Sequence, residues 1–219
     1  VGALSYAYTD TFWFSAVEGE VYALSSMFTA LVVWLMLKWE EEADEPSSMR
    51  WIILIAYLMG LSIGVHILNL LTIPALVMIY FFRRYEMRGV KEYFVKIVIA
   101  LIVSLLILGA INGVIIPYTV ALGAAFDTFA VNTLGMPVNS GIVVFLFVTF
   151  AALGWLVMFS HRRGMRVVNV IALSLTVILI GFSSYASVTI RAAANPPMNS
   201  NDPSTPHSLL SMLNRDQYG

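Results

Sequence analysis

Long unbroken apolar runs alternate with short charged clusters along the chain. This is not the two-residue alternation of an outer-membrane barrel. Val21–Leu37, Trp51–Phe82, Ile97–Tyr118, Gly141–Ser160 and Val167–Ser187 are the main runs. About 20 apolar residues in a helix cross one bilayer core, so each run predicts membrane-spanning helix. The run Trp51–Phe82 is too long for a single span and holds no Asp, Glu, Lys or Arg. Arg50 closes one end of it, and Arg83 and Arg84 close the other. Lys and Arg near span ends stay on the cytoplasmic side, so equal charge at both ends favours a there-and-back hairpin over one kinked span. The turn is expected between His66 and Pro74, where His66, Asn69 and Thr72 cluster and Pro74 breaks the hydrogen-bond ladder. Each arm is then about 16 residues, roughly 24 Å long.

The same charge rule orders the rest. Ten of the twelve Lys and Arg residues fall in three clusters: Lys38 with Arg50, Arg83–Lys96 (which includes Arg88), and Arg162–Arg166. Placing these in the cytoplasm leaves residues 1–20 and 188–219 extracytoplasmic. Val1–Phe14 reads as the last turns of a truncated first helix, its aromatic residues at the membrane surface. The acidic run Glu40–Glu45 reads as a solvated loop. Thr119–Ser140 is too polar and too rich in Gly and Pro to span, and reads as an interfacial helix followed by a loop at Gly135–Pro137. The result is an all-α polytopic membrane domain over residues 1–190, with six spans besides the truncated helix. Residues 191–219 form an extracytoplasmic loop and a short helix, with Thr205 capping it and Pro206 at its first position. Both ends look cut, as expected of an internal piece of a longer protein.

Composition sharpens this picture. The chain has 219 residues, 59 % hydrophobic and 11 % charged, with mean hydropathy +0.84. Soluble domains carry about 25 % charged residues. The net charge of −1 offers no basic surplus for nucleic acid. The absence of cysteine removes disulfides, thiolate metal sites and a Cys nucleophile. His66, His161 and His207 are too scattered to argue a metal site, and no phosphate loop or dinucleotide fingerprint is present, so no cofactor is expected.

Few polar groups remain to carry chemistry. Glu18 and Glu20, two residues apart, would point about 200° from each other on a helix. They read either as acids at a helix start or as carboxylates for a substrate. Ser62, His66 and Asn69 fall at i, i+4 and i+7 and would form one polar stripe. Ala56, Gly60 and Gly64 on the other side would allow close helix packing. An intramembrane histidine is a functional candidate by default, set against the plainer reading of a hydrogen-bonded structural group. Asp10, Asp127, Arg191 and Asn195 lie at membrane ends on the side of Glu18 and are further candidates to line a site.

Three strings are more specific: TDTFWFSAVEGEVYALSSMF, MRWIILIAYLMGLSIGVHILNLLTIPA and NPPMNSNDPSTPHSLLSMLNRDQYG. With them the chain resembles a family of bacterial multi-pass membrane proteins, abundant in Bacteroidetes, that is similar to the eukaryotic transmembrane protein O-mannosyltransferase. The resemblance implies a partial GT-C-like helix bundle in the bacterial inner membrane. It implies a glycosyltransferase that passes a sugar from a polyprenyl-phosphate carrier to protein Ser or Thr hydroxyls outside the cytoplasm. Membrane lipid, that donor and a protein acceptor are the partners it calls for. In the family an Asp-x-Gly-Glu-Phe stretch and a following His-Pro-Pro-Gly lie in the first extracytoplasmic loop. Neither string occurs here, so the resemblance puts the catalytic acid upstream of Val1 and leaves this piece catalytically incomplete. Glu18, Glu20, His66, Asn69 and Arg191 are then the substrate-binding candidates. Two other classes stand beside it: a transporter or lipid-handling protein, and a scaffold anchoring a soluble domain.

Overall fold

The computed structural model describes residues 1–86 and 89–216; Arg88 of the basic cluster and the last three residues lie outside them. Among the described residues the fold is helical, with no strand. Two compact units are present, Val1–Leu105 with Val177–Ser183, and Leu106–Thr176 with Ser184–Gly219.

The first unit is built around α3 (Val21–Glu41). Its 21 residues reach about 31 Å, close to the thickness of a bilayer core. Phe28, Val32, Leu35, Met36 and Trp39 form its buried stripe at helical spacing. Four pieces pack on α3: α2 (Asp10–Val17), α4 (Met49–Ile63), a 3-10 segment (Ile67–Thr72) and α5 (Ile73–Arg84). Before them stands α1 (Gly2–Ala7). The N-terminus is therefore two short helices broken at Tyr8 and Thr9, where the sequence suggested the continuous end of one helix.

In hydrocarbon, helices are held by close packing and polar links more than by water exclusion. Both are seen here. A Cβ on Gly60 of α4 would lie 2.2 Å from the Ile178 carbonyl oxygen, and one on Gly181 would lie 2.5 Å from the Leu61 nitrogen. Only glycines permit that approach of α4 to the end of α9 (Arg166–Phe182). The polar links gather at the C-terminal end of α3. Arg83 pairs with Asp44, and Arg84 donates to the Ala43 carbonyl at 2.7 Å with its guanidinium over the Trp39 ring. Trp39 also stacks on Tyr80 at 5.0 Å. At the start of α4, Glu42 accepts from Arg50 at 2.7 Å and from the Trp51 indole at 2.9 Å. The indole hydrogen bond is the main reason the Glu42 carboxyl lies below its ordinary range; desolvation opposes it, and Arg50 adds to it. The acidic run is thus not simply a solvated loop. It is the ion-pair partner of residues that begin α4 and end α5, so α4 leaves this end of α3 and α5 comes back to it.

The second unit begins within α6 (Val90–Ala110), at Leu106, and the helix passes through a π-helical stretch, Ile111–Ile115, into α7 (Ile116–Leu134). The expected break near Tyr118 is absent. Pro117 has no N–H for the carbonyl four residues back, and the widened turn falls just before it. The polar hydroxyls that argued for a break are satisfied within the helix: Thr119 donates to the Ile115 carbonyl at 2.5 Å and Thr128 to that of Ala124 at 3.0 Å. Residues 119–140 are therefore helix to Leu134 and a loop only at 135–139. Next, α8 (Ser140–Arg162) returns along α7, with Gly141 against the backbone of Asp127. Asn169 of α9 fastens it at the far end, donating to the Val157 carbonyl at 2.8 Å. The C-terminal pieces are α10 (Ala186–Ala193) and α11 (Pro206–Asn214). Thr205 and Ser208 form a capping box at the start of α11, which packs on α7 with Leu209 buried and His207 in a 2.6 Å contact with Thr128.

Five helices among the described residues are long and apolar enough to cross a membrane, and the 15-residue α4 is a shorter apolar helix beside them.

Candidate functional site

The N-terminal end of α3 gathers most of the candidate residues of the first unit. Gly19, at φ +71°, ends α2 and turns the chain into α3. That conformation costs any residue with a Cβ. Glu18 closes α2 and Glu20, extended at φ −76° and ψ 156°, opens α3. The two acids therefore stand on a turn, not on opposite sides of one helix. Both are exposed, and neither side chain caps a helix.

Ser15 and Tyr22, on either side of that turn, help line a pocket of about 230 Å³. Its rings are Tyr6, Phe12 and Tyr22, and its hydroxyls belong to the two tyrosines and to Thr9, Thr11, Ser15 and Ser26. The Tyr6 and Phe12 rings lie 4.5 Å apart. Tyr22 lies against the His66 ring at 5.6 Å.

His66 does not continue α4. The helix stops at Ile63, and the Val65 and His66 amides both donate to the Ser62 carbonyl. His66 instead caps the 3-10 segment, its Nδ1 accepting from the Leu68 amide at 3.2 Å. A neutral ring accepting there carries its proton on Nε2. Asn69, only 2 % exposed, accepts at Oδ1 from Ser25 at 2.6 Å and from Thr29 at 3.1 Å. Its Nδ2 has no hydrogen-bond partner among the described residues. The expected stripe of Ser62, His66 and Asn69 is therefore broken. Ser62 is buried and bonds the Met59 carbonyl, whereas His66 and Asn69 turn to α3.

The residues that meet them were missed in the sequence. Tyr22, Ser25, Ser26 and Thr29 stand at i, i+3, i+4 and i+7, a polar face on an apolar span that helical periodicity alone would have found. In the second unit, Arg191 is exposed in the last turn of α10. Asp127 is buried and accepts three backbone N–H bonds from the start of α8, which makes it a helix cap. Among the described residues no three His, Asp or Glu side chains gather as metal ligands.

Residues 1–89 match the family model of the Protein O-mannosyl-transferase TMEM260 N-terminal domain. The TMEM260 match includes the first two of the three strings that carry the resemblance and not the third, which begins at Asn195. It covers α1 to α5, hence the pocket, Glu18, Glu20, His66 and Asn69 together. Arg191 and the second unit lie outside the TMEM260-like segment. No curated protein and no solved structure matches the chain.

Proposed function

We propose that the chain is the membrane portion of a GT-C-type glycosyltransferase that moves a sugar from a polyprenyl-phosphate carrier to protein Ser or Thr hydroxyls. The reaction takes place on the extracytoplasmic face of a bacterial inner membrane. The observation that carries this reading is the O-mannosyl-transferase match over a segment where acids, imidazole, buried amide and a hydroxyl-lined pocket occur together.

In such a transfer the acceptor oxygen bonds to the anomeric carbon as the bond from that carbon to the phosphate oxygen breaks. A carboxylate takes the hydroxyl proton, and the departing phosphate keeps the bonding pair. Cationic or hydrogen-bonding groups stabilise the charge that grows on it. Glu18 and Glu20 are exposed carboxylates on the turn between the lining residues Ser15 and Tyr22 and are assigned to substrate binding there. His66 and Asn69 hold the far wall. Arg191 is assigned to the same extracytoplasmic face.

The test is transfer from a polyprenyl-phosphate sugar to an acceptor peptide by the intact protein in lipid. Product is expected, falling at least about tenfold in Glu18→Gln or Glu20→Gln, an activation difference near 1.4 kcal/mol. No product with any donor sugar would remove the reading. Uptake or flipping of a substrate that survives both substitutions would place the protein among transporters. Activity untouched by His66→Ala and Glu18→Gln would leave this segment a scaffold.

A further inference from the structure

We propose that the pocket between α1, α2 and the start of α3 is a subsite for one uncharged, polyhydroxylated ring, and that the phosphate of a sugar donor is recognised elsewhere. The source of that ring rests on the glycosyltransferase reading; the chemistry of the pocket does not.

The lining residues include no Lys, Arg, His, Asp or Glu. A phosphate group calls for guanidinium, ammonium or a nest of amides. A hard cation calls for carboxylates. An acyl chain alone would leave the four unbonded hydroxyls of the six in the lining without use. A sugar ring uses both surfaces present, because its C–H face lies on aromatic rings while its hydroxyls need donors and acceptors.

The pocket offers both kinds. The Thr9 hydroxyl donates to the Tyr6 carbonyl at 2.8 Å and that of Ser15 to the Thr11 carbonyl at 2.9 Å. Their protons are committed, so their oxygens present lone pairs. The hydroxyls of Tyr6, Thr11, Tyr22 and Ser26 make no hydrogen bond within the described residues and are available to donate. At about 230 Å³ the pocket suits one ring, below the roughly 300–1,000 Å³ of sites for drug-sized ligands.

One wall is held in place before any ligand arrives. Tyr22 rests on His66, His66 is fixed by the Leu68 amide, and Asn69 ties that segment to α3 through Ser25 and Thr29. A ring surface already ordered binds without a further ordering cost.

The experiment is ligand-observed saturation-transfer NMR on the 219-residue chain in nanodiscs free of sugar detergents, with methyl α-D-mannopyranoside as the probe. Saturable binding is expected. It should weaken about tenfold in Tyr22→Ala and about threefold in Ser26→Val, while Tyr22→Phe retains most of it. Inorganic phosphate at equal concentration should not displace the probe. Displacement by a polyprenyl-phosphate sugar would identify the donor as the source of the ring, and displacement by an O-glycosylated peptide would identify the product. Circular dichroism reports folding of each variant, and Thr11→Val with Ser26→Val carries the test if Tyr22→Ala does not fold. The proposal is overturned if the probe does not saturate, if these variants bind it unchanged, or if phosphate competes. Probe binding without transfer by the intact protein keeps the pocket and removes the enzyme. Transfer with no binding in the pocket does the reverse.

Discussion

Asp127 belongs to α7 but caps α8, and its removal should destabilise the second unit. Its carboxylate accepts from the amides of Asn139 at 3.2 Å, Gly141 at 2.8 Å and Ile142 at 3.3 Å. These are donors that a helix start leaves without partners. The residue at the cap position, Asn139, sits at φ 70° and makes no side-chain cap bond of its own. Asp127 is 4 % exposed, so water does not replace it freely. Loss of a cap costs about 0.5–2 kcal/mol, and each hydrogen bond to a charged group is worth about 1.5–3 kcal/mol. The three bonds share one carboxylate and do not add, so about 3–5 kcal/mol is the expected cost of Asp127→Ala. Asp127→Asn keeps one acceptor oxygen but loses the negative charge at the helix N-terminus, about 1–2 kcal/mol.

For a chain of this size 1 kcal/mol corresponds to about 2–4 °C of melting temperature. Asp127→Ala should therefore melt roughly 6–20 °C lower, with Asp127→Asn in between. Thermal unfolding in nanodiscs measures this, and amide exchange at Gly141 and Ile142 locates it. A melting point within about 2 °C of the parent, with exchange unchanged, would refute the cap. Sugar transfer that falls in Asp127→Asn at unchanged stability would also refute it, and would return the residue to the list of substrate ligands.

Gly60→Ala should destabilise the first unit by about 1–3 kcal/mol, because its Cβ would meet the Ile178 backbone at 2.2 Å; thermal unfolding reads the loss. Asn69→Ala should cost about 1–2 kcal/mol, and a double-mutant cycle with Ser25→Ala should show coupling, whereas additive effects would deny the hydrogen bond between them. The Glu42 carboxyl lies lower in the folded state than in the unfolded chain, so its contribution to stability is complete above the ordinary value of 4.5 and is lost as pH falls through the folded value. Trp51 fluorescence followed downward from neutral pH should report that loss, and Glu42→Gln should flatten the profile.

The membrane helices were legible because an apolar run has few alternatives to crossing a bilayer as a helix. The helix start at Thr205 was legible because Thr before Pro specifies one within two residues of chain. Gly60 was legible as a packing position, but its partner Gly181 was not, since nothing local to either residue names the other. The errors share this origin. The stretch Thr119–Ser140 looked too polar to span because the α8 amides that bind Asp127 and the Ala124 carbonyl that accepts from Thr128 are not visible from the residues themselves. Glu18 and Glu20 were placed on one helix because Gly19 was not read as a positive-φ turn.

The α3 face shows why the pocket was missed while the acids beside it were noticed. Charges announce themselves in a membrane protein because an ionised group in hydrocarbon is expensive. Hydroxyls do not, since a serine or threonine within a span can bond the carbonyl four residues back at little cost. Tyr22, Ser25, Ser26 and Thr29 therefore pass as unremarkable helix residues until something uses them. Asn69 uses two of them. Its amide cannot be buried without hydrogen bonds, and the Ser25 and Thr29 hydroxyls supply two from one face of α3. That requirement fixes where the 3-10 segment docks, which in turn sets His66 against Tyr22 and Tyr22 at the edge of the pocket. A buried polar residue with no local partner is thus the better guide to such a site. It demands a complementary face elsewhere in the chain, and a search of the spans for hydroxyls at helical spacing would have found it.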